Sequence, residues 1–354
     1  MQRLAAAVLL LPAAAAAAPL QPFVQIESFA HSEPVSVHAY VDDWEGPLED
    51  DGADAVTHNW FETGVRMGPW SYSYVQRYDW ELKATRDAAK LYHQVKNKIE
   101  LVPGTTYDLE VRGYHNRSQG LRIAYAQQAG DWSIEPGLSL LSGQALINGR
   151  IKGNATALDD NEYGYDAAIR YFYDKDRLFD RRVDGPSGEG LSLDLLLRYR
   201  PGERWLLSLQ ARDLYGFLRW HDTPITEALA TSDVREFDED GYVRFRPTLT
   251  GREFNQGYTQ RLHPHGLLLA KWSMRPDTRL GAQLRLTEVR QYPGLLAEHD
   301  FASGLQADVQ LLANPFALGA GLRWQGFRLG VLSDRLKFED AQLLQLELGW
   351  TMPL

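Results

Sequence analysis

Apolar and polar residues alternate with a period of two in segment after segment from about residue 56 to the C-terminus. In the run from Leu191 to Arg200, every odd position is leucine or tyrosine, and serine, aspartate or arginine occupies most positions between them. This period places apolar side chains on one face of a strand and polar side chains on the other. The turn 201–204 leads into a second alternating run that begins at Trp205, so the two runs predict a β-hairpin.

These alternating segments predict an all-β fold, namely a single transmembrane antiparallel β-barrel of about 14–16 strands over residues 56–354. Their usual length of about ten residues suits a tilted strand that crosses a membrane. Residues 18–55 are expected to form an N-terminal segment with an acidic loop, within which residues 24–41 could add a strand. Three charge-rich connections are candidate extracellular loops: Asp42–Ala55, Asp174–Gly190 and His221–Gly241.

One short segment has a helical period. Between residues 84 and 99 apolar residues recur every three or four positions, and basic residues occupy the other faces before Pro103–Gly104. The pattern predicts one short amphipathic helix near residues 84–99. Three placements stay open: on a membrane surface against anionic head groups, inside the lumen as a plug, or in a solvated connection between strands.

The first residues have the features of a secretory leader. Arg3 precedes an apolar core from Leu4 to Leu11, and a run of alanines follows. We therefore expect residues 1–17 to be a signal peptide that is cleaved after Ala17, so that the chain is exported to the bacterial outer membrane. The sequence has no cysteine, which excludes lipoprotein attachment, disulfides and thiolate chemistry.

Composition adds two constraints. The formal net charge of -10 at pH 7 argues against nucleic acid as a partner, because proteins that bind phosphate backbones carry clustered positive charge. The chain is also rich in aromatic residues, with ten tryptophans and 17 tyrosines. Trp205, Trp272 and Trp324 lie next to predicted turns, which is where transmembrane strands carry their interfacial aromatic girdles.

The polar faces of the strands are expected to point into the lumen. The candidate lumen-lining residues carry both charges, with arginine in excess: Asp194, Arg198, Arg200, Arg212, Arg285, Asp308, Arg323 and Arg328. Two interpretations stay open. Rings of charge could select anionic or amphiphilic solutes, or arginine and aspartate could pair with one another inside a narrow barrel, where an unpaired charge would be costly.

No constellation of residues favours catalysis or metal binding. His263 and His265 flank a proline in a predicted turn, whereas a zinc site needs three or four converging ligands. His93, His115 and Ser118 are near one another in sequence but lack an orienting third group. We therefore expect no enzyme activity, no catalytic residue, no metal and no cofactor.

The sequence resembles a known group of barrels over roughly residues 160–350. The stretches that carry the resemblance are Gly190–Asp194, Arg198–Arg200, Leu209–Gly216 and Leu218–Trp220. They resemble paired strands in the superfamily of long-chain fatty-acid-transporter-like outer-membrane barrels, which includes conjugation- and secretion-associated members. The resemblance implies a barrel of about 14 strands. For some members it also implies passage of small hydrophobic molecules through a lateral opening, and it carries over no ligand-contacting residue.

These observations favour an outer-membrane channel, passive or substrate-specific, for small anionic, amphiphilic or hydrophobic solutes. One alternative is a non-conducting barrel that anchors or helps to assemble a secretion or surface-appendage system. A lipid-modifying barrel enzyme is the third. The expected partners are outer-membrane lipids and lipopolysaccharide, the outer-membrane assembly machinery and a small solute of unknown identity.

Overall fold

The computed structural model describes residues 19–42, 44–49, 52–176, 182–237 and 243–353, so the predicted signal peptide lies outside the described residues. The helices are α1 (Val37–Val41) and α2 (Arg86–Lys96), and a 3-10 turn covers Phe338–Asp340. The strands are β1 (Leu20–Ser32), β2 (Ala55–Met67), β3 (Trp70–Ala84), β4 (Thr106–Tyr125), β5 (Gln127–Ala129), β6 (Trp132–Ala157), β7 (Tyr163–Tyr173), β8 (Ser187–Tyr199), β9 (Trp205–Phe237), β10 (Val243–Arg261), β11 (His265–Arg275), β12 (Thr278–Leu286), β13 (Gln291–Asp300), β14 (Gln306–Ala313), β15 (Phe316–Trp324), β16 (Phe327–Ser333) and β17 (Leu343–Thr351).

The strands form one closed antiparallel sheet. It closes because β1 pairs with β17 along one edge and with β2 along the other. Three strand positions of the barrel are each filled by two segments. β7 and β8 both pair with β6 and β9, and β10 and β11 both pair with β9. β5 follows β4 and pairs with the same strand, β6. The result is a 14-stranded barrel, so the predicted all-β barrel is confirmed.

The two ends of the barrel differ. One end, here the short-turn end, carries the first residue of β1, the last residue of β17 and brief turns such as 68–69, 276–277 and 325–326. The opposite end, here the long-loop end, carries α1, α2 and the connections 33–54 and 85–105. Short periplasmic turns and longer extracellular loops are the usual arrangement in outer-membrane barrels.

Apolar residues cover the outer face of the wall. On β15 the exposed positions alternate with buried alanine and glycine, and Leu318 and Leu322 are among the most exposed leucines. At the short-turn end the outer face carries a ring of aromatic residues: Trp70, Tyr125, Trp132, Tyr199, Trp205, Trp272, Trp324, Phe327 and Trp350. Trp132 stacks on Tyr199 with ring centroids 4.2 Å apart, and Trp205 is directly opposite Trp272. The aromatic girdle expected from the sequence thus forms at this end.

Three parts of the wall differ from the sequence prediction. The barrel begins at Leu20 rather than at residue 56, because β1 pairs along its whole length with β2. The segment His221–Gly241 is not simply a loop, because β9 continues to Phe237 and pairs there with β10. β7 and β8 together occupy one strand position, between β6 and β9, and the segment Asp174–Gly190 separates them. Within this segment, residues 177–181 lie outside the described residues.

The predicted amphipathic helix is confirmed as α2. It starts at the cap residue Thr85, whose hydroxyl accepts a hydrogen bond from the Ala88 amide at 3.3 Å. Its buried Leu91 packs with Tyr107 and Ala155, which lie on the outer face of β4 and β6. The helix therefore lies against the outside of the wall at the long-loop end and does not plug the lumen. Within the described ranges, no helix has the length and apolar character needed to cross a membrane.

Candidate functional site

The middle of the lumen is bridged by a buried ion-pair network. Arg77 on β3 is 2% exposed and donates hydrogen bonds to both carboxylate oxygens of Asp213 on β9, at 2.7 Å to Oδ1. A third bond runs from Arg77 to Asp79 Oδ2 at 3.3 Å. Ser192 on β8 also donates to Asp213, at 2.7 Å. The guanidinium of Arg77 is thus held by carboxylates from two separate strands.

A bulge in β9 brings Asp213 into this network. Leu193 pairs with Tyr215 and Leu195 with Ala211, so β9 has extra residues at this level of the ladder. Asp213 has a φ of 56°, in the left-handed region that aspartate and asparagine tolerate better than most residues. The bulge re-aims the side chain from the wall towards the lumen, which is a recognised role of such irregularities.

Further arginines extend the network across the barrel. Arg122 on β4 donates to Asp194 Oδ2 at 3.1 Å and to Glu62 Oε1 at 3.3 Å. Arg212 on β9 pairs with Glu27 on β1 at 2.7 Å, which joins nearly opposite walls. The polar floor, as we call it, consists of Glu27, Glu62, Arg77, Asp79, Arg122, Asp194, Arg212 and Asp213.

Histidines lie against this floor. The rings of His58 and His265 stack with centroids 4.5 Å apart, and His58 Nδ1 is 3.0 Å from Asp79 Oδ1. His263 Nδ1 is 2.7 Å from Glu81 Oε2. Among the described residues, no group of three or more His, Asp or Glu side chains has an arrangement that would hold a metal ion.

A small cavity lies against the polar floor. It has a volume of about 20 Å³ and lies between Trp60, Arg212, Arg285 and the stacked histidines. That volume holds about one water molecule. The ion pairs of the polar floor thus cross the lumen at this level, with room for a water molecule beside them.

The sequence-predicted lumen residues divide into three groups. Asp194 and Arg212 belong to the polar floor. Arg285, Asp308 and Arg328 form contacts in the other half of the lumen. In detail, Arg328 pairs with Asp308 and with Glu347 at 3.2 Å, and Arg285 lies 4.7 Å from the centre of the Phe29 ring.

The remaining three predicted residues lie near the short-turn end. Arg198 and Arg323 occupy inward-facing positions and make no ion pair with a described residue. Arg200 is exposed in the turn that follows β8, where its amide donates to the Asp131 carbonyl at 2.9 Å. It therefore does not face the middle of the lumen, because β8 ends one residue earlier.

A larger cavity, here the vestibule, lies in the lumen between the polar floor and the long-loop end. Its volume is about 590 Å³. Residues directly opposite one another on neighbouring strands define a cationic row along its wall: Lys83, Arg112, Arg150, Arg170, Glu227 and Arg252. Directly opposite side chains on neighbouring strands lie on the same face of a sheet. The row therefore places five basic side chains at one level of the wall.

A second row lies two residues closer to the floor. This aromatic row consists of Glu81, Tyr114, Asn148, Phe172, Ile225 and Phe254. Phe172 stacks on Tyr258 with centroids 4.0 Å apart, and Tyr114 stacks on His263 at the same distance. The vestibule is thus cationic at the level of the mouth and aromatic beneath it.

The basic side chains of the cationic row are not all neutralised. Arg112 pairs with Glu110 at 2.7 Å, and Lys83 pairs with Glu288 at 3.4 Å. Arg170 and Arg252 share Glu227, at 3.0 and 2.7 Å. Arg150 lies between Arg112 and Arg170 and makes no ion pair with a described residue.

The residues of the vestibule are not among the lumen residues predicted from the sequence. The sequence shows part of this arrangement, because Arg150 and Lys152 are two positions apart in a segment with the period of a strand and so lie on one face. What the sequence could not show is the register, which aligns residues that are about 20 to 60 positions apart along the chain into one row.

Comparisons with known proteins find similar structures but no match in sequence. No protein-family model and no curated protein matches the sequence. Solved structures similar to this chain include the CymD monoaromatic hydrocarbon channel, with 8% identity and a TM-score of 0.43 over 95% of this chain and 88% of that one. The toluene transporter TodX of P. putida matches with 8% identity and a TM-score of 0.42, over 94% of this chain and 88% of that one.

The toluene transporter TbuX of Ralstonia pickettii is a third similar structure, with 7% identity and a TM-score of 0.32 over 95% of this chain and 89% of that one. At such identities and TM-scores, the likeness carries no conclusion about the family or the solute of this chain.

Proposed function

We propose that the chain is a substrate-specific outer-membrane channel that admits a small hydrophobic or amphiphilic solute into the vestibule and passes it on when the polar floor rearranges. The observation that carries this proposal is the amphipathic vestibule above the polar floor, whose ion pairs cross the lumen. A general-diffusion pore needs an open, water-filled lumen. A cavity that holds charged groups at one level and aromatic rings at the next instead suits a specific amphiphilic small molecule.

The outer surface supports the outer-membrane location. A barrel with an apolar outer band and an aromatic ring is suited to a bilayer, because its closed sheet leaves no unpaired backbone edge in lipid. β1 begins and β17 ends at the short-turn end, where the connections are brief, which favours an orientation in which that end faces the periplasm and the vestibule opens to the outside. Export through the leader at residues 1–17 and insertion by the assembly machinery are part of the same proposal.

Contact with lipopolysaccharide is supported by basic residues on the outer face. Arg117, Arg219 and Arg261 are exposed, point away from the lumen and lie beyond the apolar band towards the long-loop end. None of them makes an ion pair with a described residue. Cations at this level suit the phosphate groups of an anionic lipid head group.

The polar floor also favours a second candidate function, a non-conducting barrel that anchors or assembles another system. In that case the buried ion pairs would serve only to fill and fix the interior. The two functions differ in one measurable respect, since only the channel transfers a solute.

Solute uptake by intact Gram-negative cells tests the proposed function. Cells that display the chain in the outer membrane and vector-only cells would be given labelled 2-naphthol, a small neutral amphiphile. The proposal expects faster uptake in the cells with the chain, and saturation as the concentration of 2-naphthol rises. A correctly located, folded barrel with uptake equal to that of vector cells would overturn the proposal in favour of the anchoring function.

A further inference from the structure

We infer that the vestibule selects small aryl monocarboxylates, with the carboxylate on the cationic row and the aromatic body on the aromatic row. This inference names a solute class and rests on the proposed function. It follows from the unbalanced charge of the cationic row, from the aromatic surfaces next to it and from the size of the cavity.

The positive charge of Arg150, which lies between two other arginines, favours the binding of an anion there. Like charges directly opposite one another on neighbouring strands destabilise a sheet, and Arg150 has an arginine opposite it on both sides. Arg112 and Arg170 each form an ion pair with a glutamate, whereas Arg150 makes no ion pair with a described residue and feels Glu110 only from a greater distance. A bound carboxylate would relieve this repulsion, and it matches the planar, bidentate geometry of a guanidinium.

The same contacts favour a single negative charge. The acidic groups on the vestibule wall, Glu81 and Glu288, are held by His263 and Lys83. Among the described residues of the cationic row, the Arg150 guanidinium thus remains for the solute. A monoanion balances it, whereas a phosphate or a dicarboxylate would bring excess negative charge close to these glutamates.

The wall beside Arg150 is suited to an aromatic body. Phe172 and Tyr258 stack parallel, with ring planes 14° apart, and the Arg170 guanidinium carbon is 5.6 Å from the centre of the Phe172 ring. Phe172 and Tyr114 are themselves buried, at 7% and 5% exposed, so the half-buried Tyr258 ring presents most of the aromatic surface to the cavity. A flat ring held in this way offers its open face or edge to another ring at little cost in side-chain entropy. The cavity of about 590 Å³ lies within the range of small-molecule sites, about 300–1,000 Å³.

Binding of 2-naphthoate and its neutral analogue 2-naphthamide tests the inference. The full barrel, folded in detergent micelles, would be titrated with each probe at low and high salt by calorimetry. We expect 2-naphthoate to bind roughly tenfold or more tightly than 2-naphthamide at low salt, because only the former gains a charge-assisted bond. High salt should reduce this preference.

Two variants assign the contacts. Arg150→Gln should weaken the binding of 2-naphthoate by about tenfold and leave that of 2-naphthamide nearly unchanged. Tyr258→Ala, which removes the half-buried ring on the cavity wall, should weaken the binding of both probes. Arg275→Gln, which removes an exposed arginine at the opposite end of the barrel, is the matched control and should change neither. Slower gel migration after boiling than before it would show that each variant is folded.

Equal affinities of the two probes, or an Arg150→Gln variant that binds 2-naphthoate as the wild type does, would overturn the inference. The failure of the proposed function looks different. If cells with the chain take up 2-naphthol but the barrel shows no carboxylate preference, the channel stands and the solute class is wrong. If neither probe binds and no uptake occurs, both are wrong.

Discussion

Arg77 is the residue on which the polar floor depends most. Its guanidinium pairs with Asp213 and Asp79 while it is 2% exposed. Replacing one partner of a buried pair leaves the other charge without compensation, at a cost of about 3–5 kcal/mol. Arg77→Met should therefore lower the free energy of unfolding by about that amount, as measured by urea denaturation of the folded barrel in micelles.

The double variant Arg77→Met/Asp213→Asn is the control for this prediction. It removes the opposite charge together with Arg77, and asparagine keeps the residue type that the left-handed φ at position 213 tolerates. Its unfolding free energy should lie clearly above that of the single variant. A single variant as stable as the wild type would show that Arg77 is not held in a buried ion pair.

A pair of adjacent residues tests which face of β9 meets lipid. Leu209 points outwards and Ser208 points into the lumen, since Ser208 is opposite Arg198. Leu209→Arg near the middle of the apolar band should cost about 2–4 kcal/mol of insertion energy, whereas Ser208→Arg should be tolerated. Folded yield in lipid vesicles measures both, and equal yields would mean that the register of β9 is wrong.

At the level of elements, α2 illustrates what a sequence period shows. The spacing of apolar residues predicts the helix because helical spacing differs from the strand spacing around it. It does not show what the helix packs against. Leu91 contacts residues such as Tyr107 on the outer face of β4, and only the folded wall supplies this surface.

Leu91→Ala should loosen α2 without opening the barrel. The substitution leaves a cavity between the helix and the wall and costs about 2–5 kcal/mol locally. We expect faster tryptic cleavage within residues 85–105, whereas the gel shift on boiling should persist. Val95→Ala, which shortens an exposed apolar side chain of the same helix and keeps every tryptic site, should leave the cleavage rate almost unchanged. Unchanged cleavage in Leu91→Ala would contradict the packing of α2 on the wall.

Some strands can be predicted from the sequence alone and others cannot. Where one face is lipid-like and the other polar, as on β8, the period of two fixes the strand and its facing. In β9 beyond His221, charged residues are frequent, so the segment has the composition of a loop although it forms a ladder with β10. The bulge at Asp213 likewise depends on pairing with β8, which has no local signal in the sequence.

For the whole molecule, the barrel type and approximate strand number follow from the sequence, whereas the interior does not. The sequence left open whether the lumen arginines line an open route or pair with acidic residues. Asp194 and Asp308 are in fact paired, with Arg122 and Arg328 respectively. These partners are distant in sequence, so only the register of the closed sheet could have assigned them.

The polar floor, in our proposal, closes the passage between the vestibule and the short-turn end. Planar-bilayer recording of the wild type and of Arg77→Met/Asp213→Asn, which removes an ion pair that bridges β3 and β9, is the decisive test. We expect almost no ionic conductance in the wild type without solute, and measurable, more frequent openings in the double variant. A steady, large conductance of the folded wild-type barrel in the absence of solute would show that the floor does not close the lumen.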